Sequence, residues 1–172
     1  MTSKHITESD MKFGPYPCDR VFHIEKSNTY DAVKEGVKIA EFLLLRDNGG
    51  RRHSLWVVEA KLSGPKPGVR FENFIATIRE KMINAFSLGW ASRLGRHDRA
   101  GEELPKPFRK LDLSKVRVRV VLVIKTHKDE WLPHVDEAMK KALHPTVKTW
   151  GLGSNSVLVL NDKGARKHDL IA

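Results

Sequence analysis

The segment GVKIAEFLLLRDNGGRRHSLWVVEAKLS, residues 36–63, holds two apolar stretches separated by a short polar turn. Residues 36–46 and 54–63 are rich in Val, Ile, Leu, Phe and Trp, the side chains that pack well on a pleated surface. Between them, Asp47-Asn48-Gly49-Gly50-Arg51-Arg52 offers residues that tolerate positive φ, which is hairpin-turn chemistry. The segment therefore reads as a β-hairpin. Two acids interrupt it: Glu41 inside the first apolar run, and Glu59 near the end of the second, with Lys61 two residues on. Alternate residues of a strand share a face. Leu55, Val57, Glu59 and Lys61 then point one way, and Trp56, Val58 and Ala60 the other. Pairing the strands about the turn puts Glu41 near the level of Glu59 and Trp56. A carboxylate set among Ile39, Ala40, Phe42 and Leu43 is costly to bury without a partner, so the pair marks a candidate site.

Working outward, RVFHIEKS (residues 20–27) reads as a preceding strand carrying Glu25. Residues 1–19 read as an irregular arm, ending in the punctuation of Pro15 and Pro17. Downstream, the Pro/Gly loop SGPKPGVR leads into a helix whose apolar face is Phe71, Phe74, Ile75, Ile78, Met82, Ala85, Phe86 and Gly89. A basic loop follows over residues 93–110, expected to be exposed and mobile. Residues 116–124, VRVRVVLVI, alternate and then become continuously apolar, as a strand entering a covered sheet does. A second helix fits residues 130–143. Pro133 is tolerable in its first turn, and His144-Pro145 stops it. SVLVLN (156–161) supplies a last strand, and residues 161–172 read as a frayed tail. The order β-β-β-α-β-α-β predicts one α/β domain of α+β character over residues 1–172: a mixed sheet, opening as an antiparallel meander, flanked by helices.

Charge narrows the function. Lys and Arg number 31 against 21 Asp and Glu, a net +10, which favours a polyanionic partner and salt-sensitive binding to phosphates. The longest apolar run, Val120 to Ile124, is too short to cross a bilayer, so no membrane partner is expected. The first residues lack the apolar stretch of a secretory signal. A single cysteine, Cys18, leaves no internal disulfide and suits a reducing cytoplasm. The eight histidines show no zinc-type spacing with it.

An acid in one strand, a hairpin, then acid-x-Lys at the end of the next strand and a helix after it: this pattern resembles the PD-(D/E)XK, or restriction-endonuclease-like, nuclease superfamily. The residues that carry the resemblance are Glu41 and Glu59-Ala60-Lys61, with Glu25 as an upstream acid, and the matching order spans roughly residues 20–125. Glu41 stands where the family more often has Asp, and Ala40 where it has Pro. A second acid-x-Lys, Asp10-Met11-Lys12, falls in the arm with no strand acid before it. The resemblance implies a restriction-endonuclease-like core and a metal-dependent endonuclease. It implies Mg²⁺, with Mn²⁺ as a substitute, held by Glu41, Glu59 and the Ala60 backbone carbonyl. Lys61 would orient the hydrolytic water, and Glu25 would be a further catalytic acid. It also implies DNA in preference to RNA, and a homodimer would let two sites cut both strands.

Beside the site, Arg51, Arg52, Lys66 and Arg70 are the expected contacts to backbone phosphates. Trp90 with Arg93, Arg96 and Arg99 is a second candidate patch, combining stacking with charge. Two readings compete with catalysis. Glu59 and Lys61 could be a strand-end ion pair in a nucleic-acid-binding or assembly module that keeps the fold but does not cut. A basic structural domain unrelated to nucleases would instead place Glu41 and Glu59 far apart.

Overall fold

The computed structural model describes residues 2–49, 52–98 and 100–172. The chain starts with two strands, β1 (Ser3–Glu8) and β2 (Met11–Pro17), paired as an antiparallel hairpin. Ser9 and Asp10 both take positive φ between them, the backbone of a tight two-residue turn. β3 (Val21–Phe22) follows, then a 3₁₀ turn over Ile24–Lys26 and a short helix, α1 (Asn28–Asp31). β4 (Phe42–Asp47) and β5 (His53–Lys61) form the hairpin read from the sequence. α2 (Val69–Arg93), α3 (Ala100–Glu103) and α4 (Lys106–Arg109) lead to β6 (Arg117–Ile124). A 3₁₀ turn over Asp129–Trp131 enters α5 (Leu132–Thr149), and β7 (Val157–Leu160) and α6 (Asp162–Lys167) complete the order.

The class is mixed α/β, as the sequence implies. Five strands form one sheet in the order β3-β4-β5-β6-β7. The β3–β4 and β4–β5 pairs are antiparallel, and β5–β6 and β6–β7 are parallel. The parallel pairs need crossovers, which α2 and α5 supply. Both helices lie on one face, where Leu43, Leu45, Leu55, Val57, Val120 and Leu122 pack against Ile78, Met82, Ala85 and Met139. The other face carries Phe42, Leu44, Trp56, Val58, Val121 and Val123, covered by the β1–β2 hairpin and α6 through Phe13, Tyr16, Ala165 and Leu170. The sheet is thus buried on both sides, which is why β5 and β6 read as nearly unbroken apolar runs.

Several expectations are corrected. The irregular arm expected over residues 1–19 is, from Ser3 to Pro17, an ordered hairpin: Ile6, Met11, Phe13 and Tyr16 are buried against the sheet. The tail is not frayed either. Asn161 caps α6 by accepting a hydrogen bond from Gly164 N at 3.0 Å, and Leu170 and Ile171 are buried. The basic segment 93–110 forms α3 and α4 and buries Ala100, Leu104 and Phe108. Glu103 anchors it by accepting from the backbone N–H groups of Asn28 and Thr29 at 2.7 and 2.8 Å. α5 runs on through Pro145, because Leu143 before it and Val147 after it both pack on the core, and this packing offsets the hydrogen bond that proline removes. No helix among the described residues is long and apolar enough to cross a membrane.

Candidate functional site

The ladder between β4 and β5 pairs Phe42 with Val58 and Leu43 with Val57. Continued one step, that register sets Glu41 level with Glu59, and the Glu41 N–H donates to the Val58 carbonyl at 3.1 Å. The same face then carries both carboxylates at the end of the sheet where β5 gives way to the loop before α2. Glu25 joins them because the chain leaves β3 as a 3₁₀ turn rather than continuing as a strand to Ser27. Its N–H donates to the Glu41 carbonyl at 3.2 Å. From the helix side, the Lys81 carbonyl accepts from Ala40 N at 3.2 Å and fixes the approach to Glu41.

Glu59 is fully buried (0 % exposed) and Glu41 nearly so (6 %). Glu59 Oε1 accepts from Lys81 Nζ at 2.7 Å and lies 2.8 Å from Lys61 Nζ. Lys81 is also 3.9 Å from Glu41 Oε1. The expected Glu59–Lys61 ion pair therefore exists, but as part of a buried cluster with a second lysine. Burial pushes the Glu41 carboxyl up to about 9, and the hydrogen bond it shares with Glu25 and the fields of Glu59 and Glu25 add to this against the opposing Lys81. Burial works against the Lys81 ammonium, but Glu59, then Glu41 and Glu25, outweigh it and hold its pKa above the ordinary lysine value. Two carboxylate oxygens in this cluster, Glu41 Oε2 and Glu59 Oε2, are buried with no hydrogen-bond partner among the described residues. Orphaned buried acceptors of this kind are uncommon and costly.

On the Glu25 side stand two residues the sequence reading passed over. Glu8, the last residue of β1, places Oε1 3.2 Å from His23 Nε2. Ligand atoms of Glu8, His23, Glu25 and Glu41 all lie within 4.8 Å of one another. Lys81 was also missed, although a signal existed: it falls between Ile78 and Met82 on the helical spacing of the apolar face. Glu8 had no such signal, since only the hairpin's docking brings it to the sheet.

The Ala60 carbonyl accepts from Ser9 Oγ at 3.1 Å; a carbonyl has a second lone pair to offer. Of the expected phosphate contacts, Lys66 is exposed on the loop following β5 and Arg70 is exposed in the first turn of α2. Arg52 is exposed but precedes β5, so the strand's length, roughly 26 Å at 3.3 Å per residue, separates it from Lys61. It does not flank the site. Arg51 and Arg99 lie outside the described residues. Arg93 is spent on structure, donating to the Leu111 carbonyl at 3.2 Å, and Trp90 packs against Phe86 in the core rather than offering a stacking face. Arg96 is exposed just beyond α2, 15 residues past Lys81. At the site's end of the sheet, a cleft of about 410 Å³ opens between the 64–67 loop and α5, lined by Phe71, Trp131, His134 and His127 among others.

Comparison with known proteins finds no family model, no curated protein and no solved structure that matches this chain.

Proposed function

We propose that the protein is a metal-dependent nuclease that hydrolyses phosphodiester bonds of nucleic acid, DNA in preference to RNA, on a restriction-endonuclease-like core. The observation that carries this reading is the meeting of Glu41 and Glu59 at one level of paired strands, each buried with an unpartnered oxygen, with Lys61 on Glu59. The antiparallel hairpin followed by a crossover helix and a parallel strand is the element order on which the resemblance rests. The donor set also fits a hard divalent ion. Mg²⁺, or Mn²⁺ in its place, would be held by Glu41, Glu59 and the Ala60 carbonyl, oxygen ligands of the kind it prefers. When bound, the ion supplies charge neutralisation at the phosphate and acidifies water.

The remaining work belongs to the chain's own side chains. Glu41 must ionise to act as a ligand, which its burial, and then its neighbours Glu25 and Glu59, resist. Lys61, a third exposed, is the group free to turn outward to the phosphate and the attacking water, adding positive charge where negative charge develops. Lys81, largely buried, stays on Glu59 and holds it in place. Lys66 and Arg70, exposed beyond the end of β5, would fix the backbone of the bound strand.

The test is cleavage of plasmid, linear, single-stranded and RNA substrates with Mg²⁺, Mn²⁺ or EDTA, comparing wild type with Lys61→Ala and Glu59→Gln. The expected outcome is metal-dependent cutting that falls roughly 10²–10³-fold in Lys61→Ala while substrate binding persists. One observation favours a second reading: Glu59 Oε1 is already satisfied by two lysines, as in a structural ion cluster. If wild type binds nucleic acid but never cuts it, the domain is a binding or assembly module.

A further inference from the structure

We propose that Glu8, His23, Glu25 and Glu41 form a cation site of their own, one that takes a first-row transition ion such as Mn²⁺ in preference to Mg²⁺. It shares Glu41 with the ligand set proposed for catalysis and differs in its other three members, and it stands whether or not the protein cuts nucleic acid.

The four residues come from three separate stretches of chain. Glu8 closes β1 at the tip of the hairpin, His23 and Glu25 belong to the turn after β3, and Glu41 immediately precedes β4. Their ligand atoms nevertheless converge to within 4.8 Å of one another. Donors bound to one ion at about 2.1 Å sit roughly 3–4.2 Å apart, so the set has to draw inward to close on an ion. Two members carry polar atoms with nothing to satisfy them. Glu41 is more than nine-tenths buried and its Oε2 has no partner. His23 Nε2 is buried and lies 3.2 Å from Glu8 Oε1, within ion-pair reach but without a directed hydrogen bond. The cations nearby do not fill the gap: Lys26 is 3.8 Å from Glu25 and Lys81 is 3.9 Å from Glu41. Three carboxylates and an imidazole thus face one small volume.

The imidazole decides the class of ion. Mg²⁺ takes oxygen ligands and keeps its waters, whereas a neutral imidazole nitrogen suits first-row transition ions. Because Glu8 belongs to the hairpin and the other three to the sheet edge, a bound ion would also tie the two layers together.

The experiment uses the full chain, stripped with chelator, and reads binding of MnCl₂ and MgCl₂ by calorimetry and by the shift of the thermal midpoint. Wild type is expected to bind Mn²⁺ at least tenfold more tightly than Mg²⁺ and to gain thermal stability with it. His23→Ala and Glu8→Gln are expected to lose Mn²⁺ affinity 10–100-fold with little change for Mg²⁺, while Glu59→Gln, a ligand only of the ion proposed for cleavage, keeps it. Glu59→Gln therefore separates this site from the nuclease reading. Equal Mn²⁺ affinity in wild type and both variants overturns the proposal, as does equal affinity of wild type for the two ions. Should the variants not fold, pulsed electron paramagnetic resonance of Mn²⁺-loaded wild type gives the answer directly: nitrogen coupling from a bound imidazole supports the site, and its absence overturns it.

Discussion

Glu41 and Lys81 make the residue scale concrete, because each is held in its charge state by its neighbours. The Glu41 carboxyl is raised from 4.5 to about 9 in the folded chain. A raised pKa means the folded state binds the proton more tightly, so this stabilisation is full below pH 4.5 and is lost as pH climbs towards 9. In EDTA, the urea midpoint of wild type relative to Glu41→Gln is expected to fall steadily between pH 5 and pH 9; parallel curves would contradict the geometry. Lys81→Met would leave the fully buried Glu59 with Lys61 as its single cation. Removing one partner of a buried pair costs about 3–5 kcal/mol, measurable by chemical denaturation, and Lys81→Ala would lose packing as well. The reach of sequence reasoning is clear at this scale. Glu41, Glu59 and Lys61 were legible because a two-residue period and a short hairpin together fix both face and level. Glu25 was found for a weaker reason, as an acid in an assumed strand that is in fact a turn. His23 was set aside because metal spacing was sought among histidines and cysteine, whereas its companions are carboxylates from distant segments.

Among elements, the hairpin β4–β5 and the strands and helices after it follow the periodicity of their sequences, since each is long and packs on one dominant face. The failures lie where tertiary contact overrides a local rule. β3 keeps only two residues, and in the turn after it Glu25 N donates to the Glu41 carbonyl instead of extending a strand. α5 passes through Pro145 because its last turns still have core to cover. α2 approaches the sheet closely at Gly89, where an added Cβ would meet Leu43 Cδ1 at 2.8 Å. Gly89→Val is therefore expected to cost about 1–3 kcal/mol through overpacking, read as a lower thermal midpoint. Gly101, where a Cβ would meet nothing, is the control position for alanine.

For the whole molecule, the sheet is a middle layer whose second cover is made of residues far apart in sequence. Gly14 N donates to the Leu170 carbonyl at 2.9 Å, Tyr16 Oη donates to the same carbonyl at 2.6 Å, and Phe13 bridges to Ile171. Nothing local announces such pairing, and two prolines in β2 disguise it further; the arm and the tail looked loose because each is half of one structure. Phe13→Ala, at a fully buried ring touching Phe42, is expected to cost about 3–5 kcal/mol, as much as a core helix position would. The Tyr16–Leu170 link also has a consequence in time. It spans 154 positions, so on a translating ribosome the hairpin emerges long before its partner is made. At roughly 5–20 residues per second the interval is roughly 8–30 s. Through that window Phe13 and Tyr16 of the hairpin await the C-terminal segment that completes their cover, and their apolar surface is open to chaperones.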